Sequence, residues 1–580
     1  MTFDPIRLEI LWSGLVSIAE EMGVTLKKTA YSEMVREAND FSCALFDREG
    51  NMIAQTDYIG SPGHLGSVRD AVKIMMREFP PESLKPGDSL ITNDPYLVAG
   101  HLPDIAISTP IFHEDRLMGF ALNITHHTDI GGKVAGGHLA DSRQIFEEGL
   151  RIPISKFYSQ GTPNRDLIRF IESNVRVPYK EIGDFNAQLS ANFVAATRLM
   201  EFVNDFKLGI EDFHSLGKQI IETTEAAMRS SFREFEKGRY EASELMESFD
   251  GDSSIELRLA LEVKEDKVVA DFTGSGEQSP NGMNSPYNYT FAYTSHAIKC
   301  ATNPQIPMNE GVMKTIELIV PEGTILNPQF PAAVGGRHLV NWRLNSLVFR
   351  ALSKTAALRV IAPSGGTGSN MPQFSGIDSE TRKPFVQIVN HSGGLGARPD
   401  KDGIHCYPFP ARAENTPVEI VETVAPILIE KLELIQDSGG AGKFRGGCGV
   451  EMDVRVTNSE GVTLLNISGR DVYPAQGLFG GLEGGKSEIL YLGRDSSRAR
   501  KKLHPRKIVR LDQSARVRFR LPGGGGYGNP VERNAQLVIQ DLKDGLVSPK
   551  AARMQYKVAL KSGRPTLDVK KTLELRRRSA

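Results

Sequence analysis

The stretch Asn93–Gly132 constrains this chain more tightly than any other. NDPYLVAGHLPDIAI is followed by an apolar, strand-like run and then by THHTDIGG. His101 and Asp104 stand three residues apart in HLPD. A first strand over Ile105–Ile107, a hairpin-like turn around His113–Met118 and a return strand Gly119–Ile124 would bring His126 back beside the first loop. The two loops can therefore meet in space. Neutral imidazole with carboxylate is the ligand mix of Zn, Mn, Fe or Co, and few protein ligands leave a position open for water. A single loop His or Asp is more often a hydrogen-bonding or solvated group. Three such residues on two glycine-containing turns joined by a strand pair are what point to a divalent transition metal. A zinc finger has little support, because Cys43, Cys300, Cys406 and Cys448 form no CxxC spacing.

The rest of the chain suggests an α+β, multidomain protein. Asp4 and Pro5 open a helix with Leu8, Leu11, Leu15, Ile18 and Met22 at three- and four-residue spacing. Cys43–Phe46 and Met52–Ala54 flank the turn Asp47–Gly50, a hairpin with Asp40 at its entry. Helical patterns resume over Val68–Phe79 and through most of Asp166–Lys237. We expect an N-terminal α/β metal-site domain over 1–245, a central α+β domain over 246–417, a Gly-rich β domain over 418–530 and a helical tail over 531–580 whose basic end LELRRRSA is frayed or at a subunit contact. At 580 residues, 40% of them hydrophobic, the chain can bury a large core. Sixty-nine Lys and Arg balance 71 Asp and Glu, so no global field recommends nucleic acid or membrane as a partner. The expected location is the cytoplasm, with cysteines unpaired, since the N-terminus lacks a signal-peptide pattern.

Glycine is concentrated in blocks at Gly439–Gly442, Gly446–Gly449, Gly480–Gly485 and Gly523–Gly528, punctuated by Phe444, Phe479 and Tyr527. Ordered loops with close backbone packing fit this better than flexible linkers. Gly480–Ser487 reads GGLEGGKS and satisfies the bare P-loop pattern. A P-loop requires a following helix to supply its amides and dipole, whereas Ile489–Leu492 reads as a strand, so no nucleotide site is expected here.

The ordered motifs DPIRLEILWSGLVSIAEEMGVTLKKTAYSEMVREANDFSCALFD, GHLGSVRDAV, NDPYLVAGHLPD, HHTDIGG, EEGLRIP, DFTGSGEQSPNGMNSP, PEGTILNPQFPAAVGGRH, DSGGAGKFRGGCG and LPGGGGYGNP resemble the hydantoinase B family, from about residue 4 to about 560. The resemblance implies the metal-bearing B subunit of an ATP-dependent hydrolase of hydantoins, 5-oxoproline or lactams. Its implied ligand set is Asp40, His101, Asp104 and His126, with Glu37 competing for the role of Asp40. His127 and Asp129 are the implied proton-handling or supporting residues. His64 would line the same cleft, and Asn93 and Asp94 would orient the HLPD loop.

In such an enzyme, ATP and Mg belong to a hydantoinase A-type partner that phosphorylates a small cyclic amide. Water activated by the B-subunit metal then attacks the phosphorylated amide carbon. A hetero-oligomer, expected to be a heterotetramer, follows from the resemblance. The runner-up is a subunit of an ATP-dependent ketone carboxylase of the acetone or acetophenone type, which would use the same ligands. A pure scaffold for the A subunit would instead require the HLPD and HH cluster to be structural.

Overall fold

The computed structural model describes all residues except 1, 99, 367–370, 494–500, 562–563 and 579–580. Helix α1 (Pro5–Thr29) starts where Asp4 accepts hydrogen bonds from the amides of Ile6 and Arg7, and it buries Leu8, Leu11, Leu15, Ile18 and Met22. A seven-stranded sheet follows, with strand order β2-β1-β5-β4-β3-β6-β7. Its members are β1 (Phe41–Asp47), β2 (Met52–Gln55), β3 (Ser89–Thr92), β4 (Asp104–His113), β5 (Arg116–His126), β6 (Ser155–Ser159) and β7 (Thr162–Pro163). The short helix α2 (Pro62–Ser67) lies between β2 and β3.

β4 and β5 form the expected hairpin, turning through Glu114 and Asp115, both with positive φ as a tight antiparallel turn requires. Its register sets Asp104 directly opposite His126. β1 lies along the other side of β5, and the His126 amide donates to the Asp40 carbonyl at 3.0 Å. Three adjacent chain segments thus deliver Asp40, His126 and Asp104 to one end of the sheet.

Both faces of this sheet are covered, because side chains alternate along each strand. Cys43 and Leu45 face a core with α1 and with α3 (Pro178–Asp205). Gly14 lets those two helices touch, since a Cβ there would lie 2.6 Å from the Phe202 ring. Helix α4 (Ile210–Phe232) adds Phe213, Leu216 and Ile220 to the same core. Ala44 and Phe46 face the opposite way, into a core that continues into the central region.

That central region is a four-stranded sheet of order β11-β10-β9-β8, built from β8 (Gly238–Glu247), β9 (Ser254–Val263), β10 (Val268–Asp271) and β11 (Ile316–Ile319). β10 and β11 are parallel, and the crossover between them contains α5 (Tyr287–Thr302). Helix α6 (His338–Leu352) packs beside α5. α2 rests on α5 with no side chain between them: a Cβ on Gly66 would come within 2.3 Å of the Ala292 Cα.

Two further sheets make up the C-terminal half, of order β13-β12-β16-β19 and β14-β15-β20-β17-β18. The strands are β12 (Gln373–Asp378), β13 (Pro384–Ile388), β14 (Ile427–Leu434), β15 (Val450–Val456), β16 (Ser459–Leu465), β17 (Glu488–Gly493), β18 (Lys501–Lys502), β19 (Ile508–Leu511) and β20 (Arg516–Arg520). β12 and β13 come earlier in the chain than residue 418 yet pair into this half, because strand pairing is settled by distant partners rather than by local pattern. The glycine blocks interlock main chain against main chain: a Cβ on Gly446 would fall 2.0 Å from the Gly524 carbonyl oxygen. In the P-loop-like segment the amides of Gly481, Leu482, Gly484 and Gly485 all donate to backbone carbonyls, and strand β17 follows, so no phosphate cradle exists there. The basic tail is helical over Val569–Arg577, and Arg576 ties it to the Arg533 carbonyl at 2.7 Å. All four cysteines are free, and among the described residues no helix is long and apolar enough to cross a membrane.

Candidate metal centre

The HLPD loop folds back on itself. The Asp104 amide donates to the His101 carbonyl at 3.0 Å, while Asp104 Oδ2 accepts from the amides of Gly100 and His101 at 3.2 and 3.3 Å. The same oxygen accepts from Arg337 Nη2 at 2.6 Å, in an ion pair with both side chains buried. Oδ2 is thereby saturated, and Oδ1 is left facing the histidines. It lies 3.1 Å from His101 Nε2 and 4.0 Å from His64 Nδ1.

Three imidazoles cluster beside this carboxylate. The ring centroids of His101, His126 and His138 are 4.7 to 4.9 Å apart, and each ring offers a nitrogen within 4.8 Å of the others. A fourth, His338 at the start of α6, meets His138 edge-on at 5.1 Å. Both nitrogens of His101, His126 and His338 are buried without a hydrogen-bond partner, and so is Asp104 Oδ1. His101 Nε2 and Asp104 Oδ1 thus approach to 3.1 Å side by side, without hydrogen-bond alignment. Two donors that each bond a common ion at about 2.0–2.2 Å are separated by about 3.0–3.4 Å in octahedral or tetrahedral arrangement. Orphaned polar atoms in a dry interior are otherwise costly, so the donor set fits a divalent transition ion.

Electrostatics favour the ligand forms of these groups. Burial, reinforced by Arg337, pushes His101 down to about 3. Burial also lowers His126, and it lowers His138 and His338 far below the usual histidine range, with neighbouring imidazoles and Arg337 adding to it. All four rings are therefore neutral at physiological pH. Burial alone would raise the Asp104 carboxyl, but Arg337 and the surrounding histidines hold it well below the ordinary carboxylate range.

Asp40 comes to the rim of the cluster, where His64 Nε2 donates to its Oδ1 at 2.9 Å. Burial disfavours charge on His64, yet Asp104 and Asp40 outweigh it and raise its pKa. His64 therefore sits between two carboxylates that favour its protonated form. Glu37 is elsewhere, 3.8 Å from Arg36 on the half-buried surface. Asn93 does brace the HLPD loop, its Nδ2 donating to the Leu102 carbonyl at 2.8 Å. Asp94 instead closes its own turn onto the Tyr96 amide.

His127 and Asp129 are directed away from the cluster. His126 ends β5, and its neighbour emerges on the opposite face, as strand alternation demands. His127 Nδ1 is 2.8 Å from Glu181 Oε2 and its Nε2 is 2.9 Å from Gln188 Oε1, both on α3. Asp129 accepts from the Arg176 amide, from Arg176 Nη1 at 2.9 Å and from the Gly131 amide at 3.3 Å. With their polar atoms committed, these two residues lock the loop after β5 onto α3 and do not reach a reacting group at the imidazoles.

Sequence reasoning missed His138, Arg337, His338 and Glu148. His138 follows a second Gly-Gly pair only twelve positions after His126, and VGGRH carries Arg337 and His338; both are glycine-turn signals like those in the loops first singled out. Gly335 and Gly336 let that turn press against Leu139 and Ala140. The buried Glu148 carboxyl holds it there, Oε1 accepting from the Val334 and Gly335 amides at 3.1 and 2.8 Å. Arg337 then stacks over Tyr289 of α5, 4.5 Å from the ring centroid, with its guanidinium on Asp104.

Comparison with known proteins places this geometry in context. The hydantoinase B/oxoprolinase family pattern matches residues 4–530. An uncharacterized protein of Methanocaldococcus jannaschii is 34% identical, over 99% of this chain and 100% of its own. The crystal structure of ATP-dependent caprolactamase from Pseudomonas jessenii superposes with a TM-score of 0.89 at 28% identity, covering 100% of both chains. A nucleotide-free acetone carboxylase chain superposes at 0.91 over 99% of this chain and 83% of its own, but at 20% identity it shares the fold alone.

Proposed function

This chain belongs to the hydantoinase B/oxoprolinase family, and on that premise we propose that it is the metal-holding B subunit of a cytoplasmic, ATP-dependent hydrolase of small cyclic amides. The observation that carries the reading is the buried group of neutral imidazoles His101, His126 and His138 beside Asp104 Oδ1, in which both nitrogens of His101 and His126 and the carboxylate oxygen itself lack partners. His101, His126 and Asp104 would hold a divalent transition ion (Mn, Zn, Fe or Co), with Asp40 and His138 at its edge as further ligands. Such an ion supplies Lewis acidity at neutral pH.

The chain's own groups do the remaining work. Arg337 fixes Asp104 through Oδ2 and so aims Oδ1 at the cluster. His338, held neutral by burial and unpartnered, is placed to accept a hydrogen bond at a ring nitrogen. Burial of His101, Asp104, His126, His138 and His338 excludes bulk water and so suppresses premature decay of an activated substrate. An unactivated amide is a poor electrophile, and in this reading an A-type partner phosphorylates its oxygen with ATP and Mg within a hetero-oligomer, expected to be a heterotetramer. Full-length likeness to the caprolactamase chain supports hydrolysis, whereas the carboxylase alternative rests on fold alone.

The test uses the complex with its partner, supplied with ATP and with hydantoin, 5-oxoproline or larger lactams, while phosphate release and ring opening are followed together. The wild type couples the two. Asp104→Ala loses ring opening while phosphate continues to appear, because an activated amide without a positioned nucleophile decays in water. Full coupling in that variant, or a carboxylated product from a ketone and bicarbonate, would overturn the reading.

A further inference from the structure

Helix α5 also lines a cavity of about 190 Å³, with His296, Lys299 and Cys300. Facing them are Gln55 and Thr56 at the end of β2, and Arg412. The space equals the liquid volume of about six waters, room for a molecule of amino-acid size. None of these residues belongs to the imidazole cluster.

The lining is chemically biased. Lys299 Nζ donates to the Pro304 carbonyl at 3.1 Å, and Arg412 donates to the carbonyls of Asp57 and Tyr58, each at 2.7 Å. Backbone oxygens thus position both cations without cancelling their charge. Arg412 does so from a left-handed backbone, φ +60°, an unfavourable conformation for a residue with a side chain. Gln55 Oε1 and Thr56 Oγ1 are buried with no partner, and their residues are only 5% and 3% exposed. An amide oxygen can only accept, so Gln55 calls for a donor, and the Asp57 carboxylate lines the same space. Ala292 and Met308 supply an apolar wall. Two cations, two acceptors for N–H groups and a short apolar stretch are complementary to a zwitterion.

We propose that this cavity binds a small amino acid or ω-amino acid. Its carboxylate is taken by Lys299 and Arg412 with the Thr56 hydroxyl, its ammonium by Gln55 Oε1 and Asp57, and its methylenes by Ala292 and Met308. The proposal stands on this cavity alone. Should the chain open cyclic amides, the ligand would belong to the class of its products, since ring opening leaves an acid and an amine on one molecule.

Calorimetric titration of the full chain tests it, with 6-aminohexanoate and glutamate as probes and hexanoate, hexylamine and inorganic phosphate as controls. At least one of the amino acids saturates at one per chain, and the single-charge analogues bind at least about tenfold more weakly. Lys299→Met and Gln55→Leu each weaken binding at least about tenfold while metal content stays at the wild-type level, which separates this site from the metal centre. A second readout needs no variant: the bound amino acid slows alkylation of Cys300 by iodoacetamide, while Cys406 serves as internal reference. Absence of saturable amino-acid binding up to about 10 mM, tighter binding of phosphate, or Cys300 labelling that ignores the ligand would each overturn the proposal.

Discussion

Replacing Glu148 by Gln changes one atom at the brace that holds the Arg337–His338 turn, and the structure fixes what should follow. Oε1 accepts from both Val334 and Gly335 at 3.1 and 2.8 Å, so a glutamine whose oxygen takes that position keeps both bonds. What differs is ionisation. Burial pushes the Glu148 carboxyl from 4.5 up to about 8, against the pull of the two amides. Below pH 4.5 the folded and unfolded chains both carry this proton, and the contribution to stability is fully present. As pH rises the unfolded carboxyl ionises first, and the contribution is lost progressively until the folded group ionises near 8. The loss has a ceiling of about 5 kcal/mol, at about 1.4 kcal/mol for each pH unit of the window. If the chain melts as one unit, that is a gap of about 4 °C. Melting curves of wild type and Glu148→Gln from pH 4.5 to 8.5 should therefore diverge, the variant gaining on the wild type as pH rises. Parallel curves, or a wild type that gains instead, would show that the two amides keep Glu148 ionised and that the reasoning from burial is wrong.

Two other outcomes follow from the geometry. His101→Ala and His126→Ala should each lose the bound divalent ion while remaining folded; elemental analysis decides this, and wild-type metal content in both would remove the cluster as a metal site. His127→Ala should leave metal content intact but destabilise the chain by about 3 kcal/mol, because it strands Glu181 and Gln188 in a buried site. Denaturation together with metal content measures both halves, and a folded His127→Ala protein without metal would return His127 to the cluster.

Local chemistry made part of the centre legible in the sequence. His101, Asp104 and His126 are joined by one hairpin, and a hairpin's register is set by its turn and by side-chain alternation, both local properties. Asp40 enters by the neighbouring strand, which the hairpin pattern at Asp47–Gly50 also announces. The same alternation held the signal about His127 that was not used: adjacent residues at a strand end face opposite ways. The interlocked glycine blocks were likewise readable, since clusters of residues without Cβ atoms are what close main-chain packing needs.

Tertiary structure alone decided the rest. Arg337 reaches Asp104 across 233 residues of sequence, and Glu148 grips the Gly335 amide across 187. No periodicity records such pairings, because the ends are brought together by α5, α6 and the shared core rather than by any local preference. His338 and His138 enter the centre by that route. So does the depression of the histidine pKa values, which arises from burial and from a guanidinium that the sequence places in a different region of the chain. The sequence determined which side chains could bind a metal; only the packed chain determined which of their atoms are left without partners, since that depends on which groups are shut away from water together.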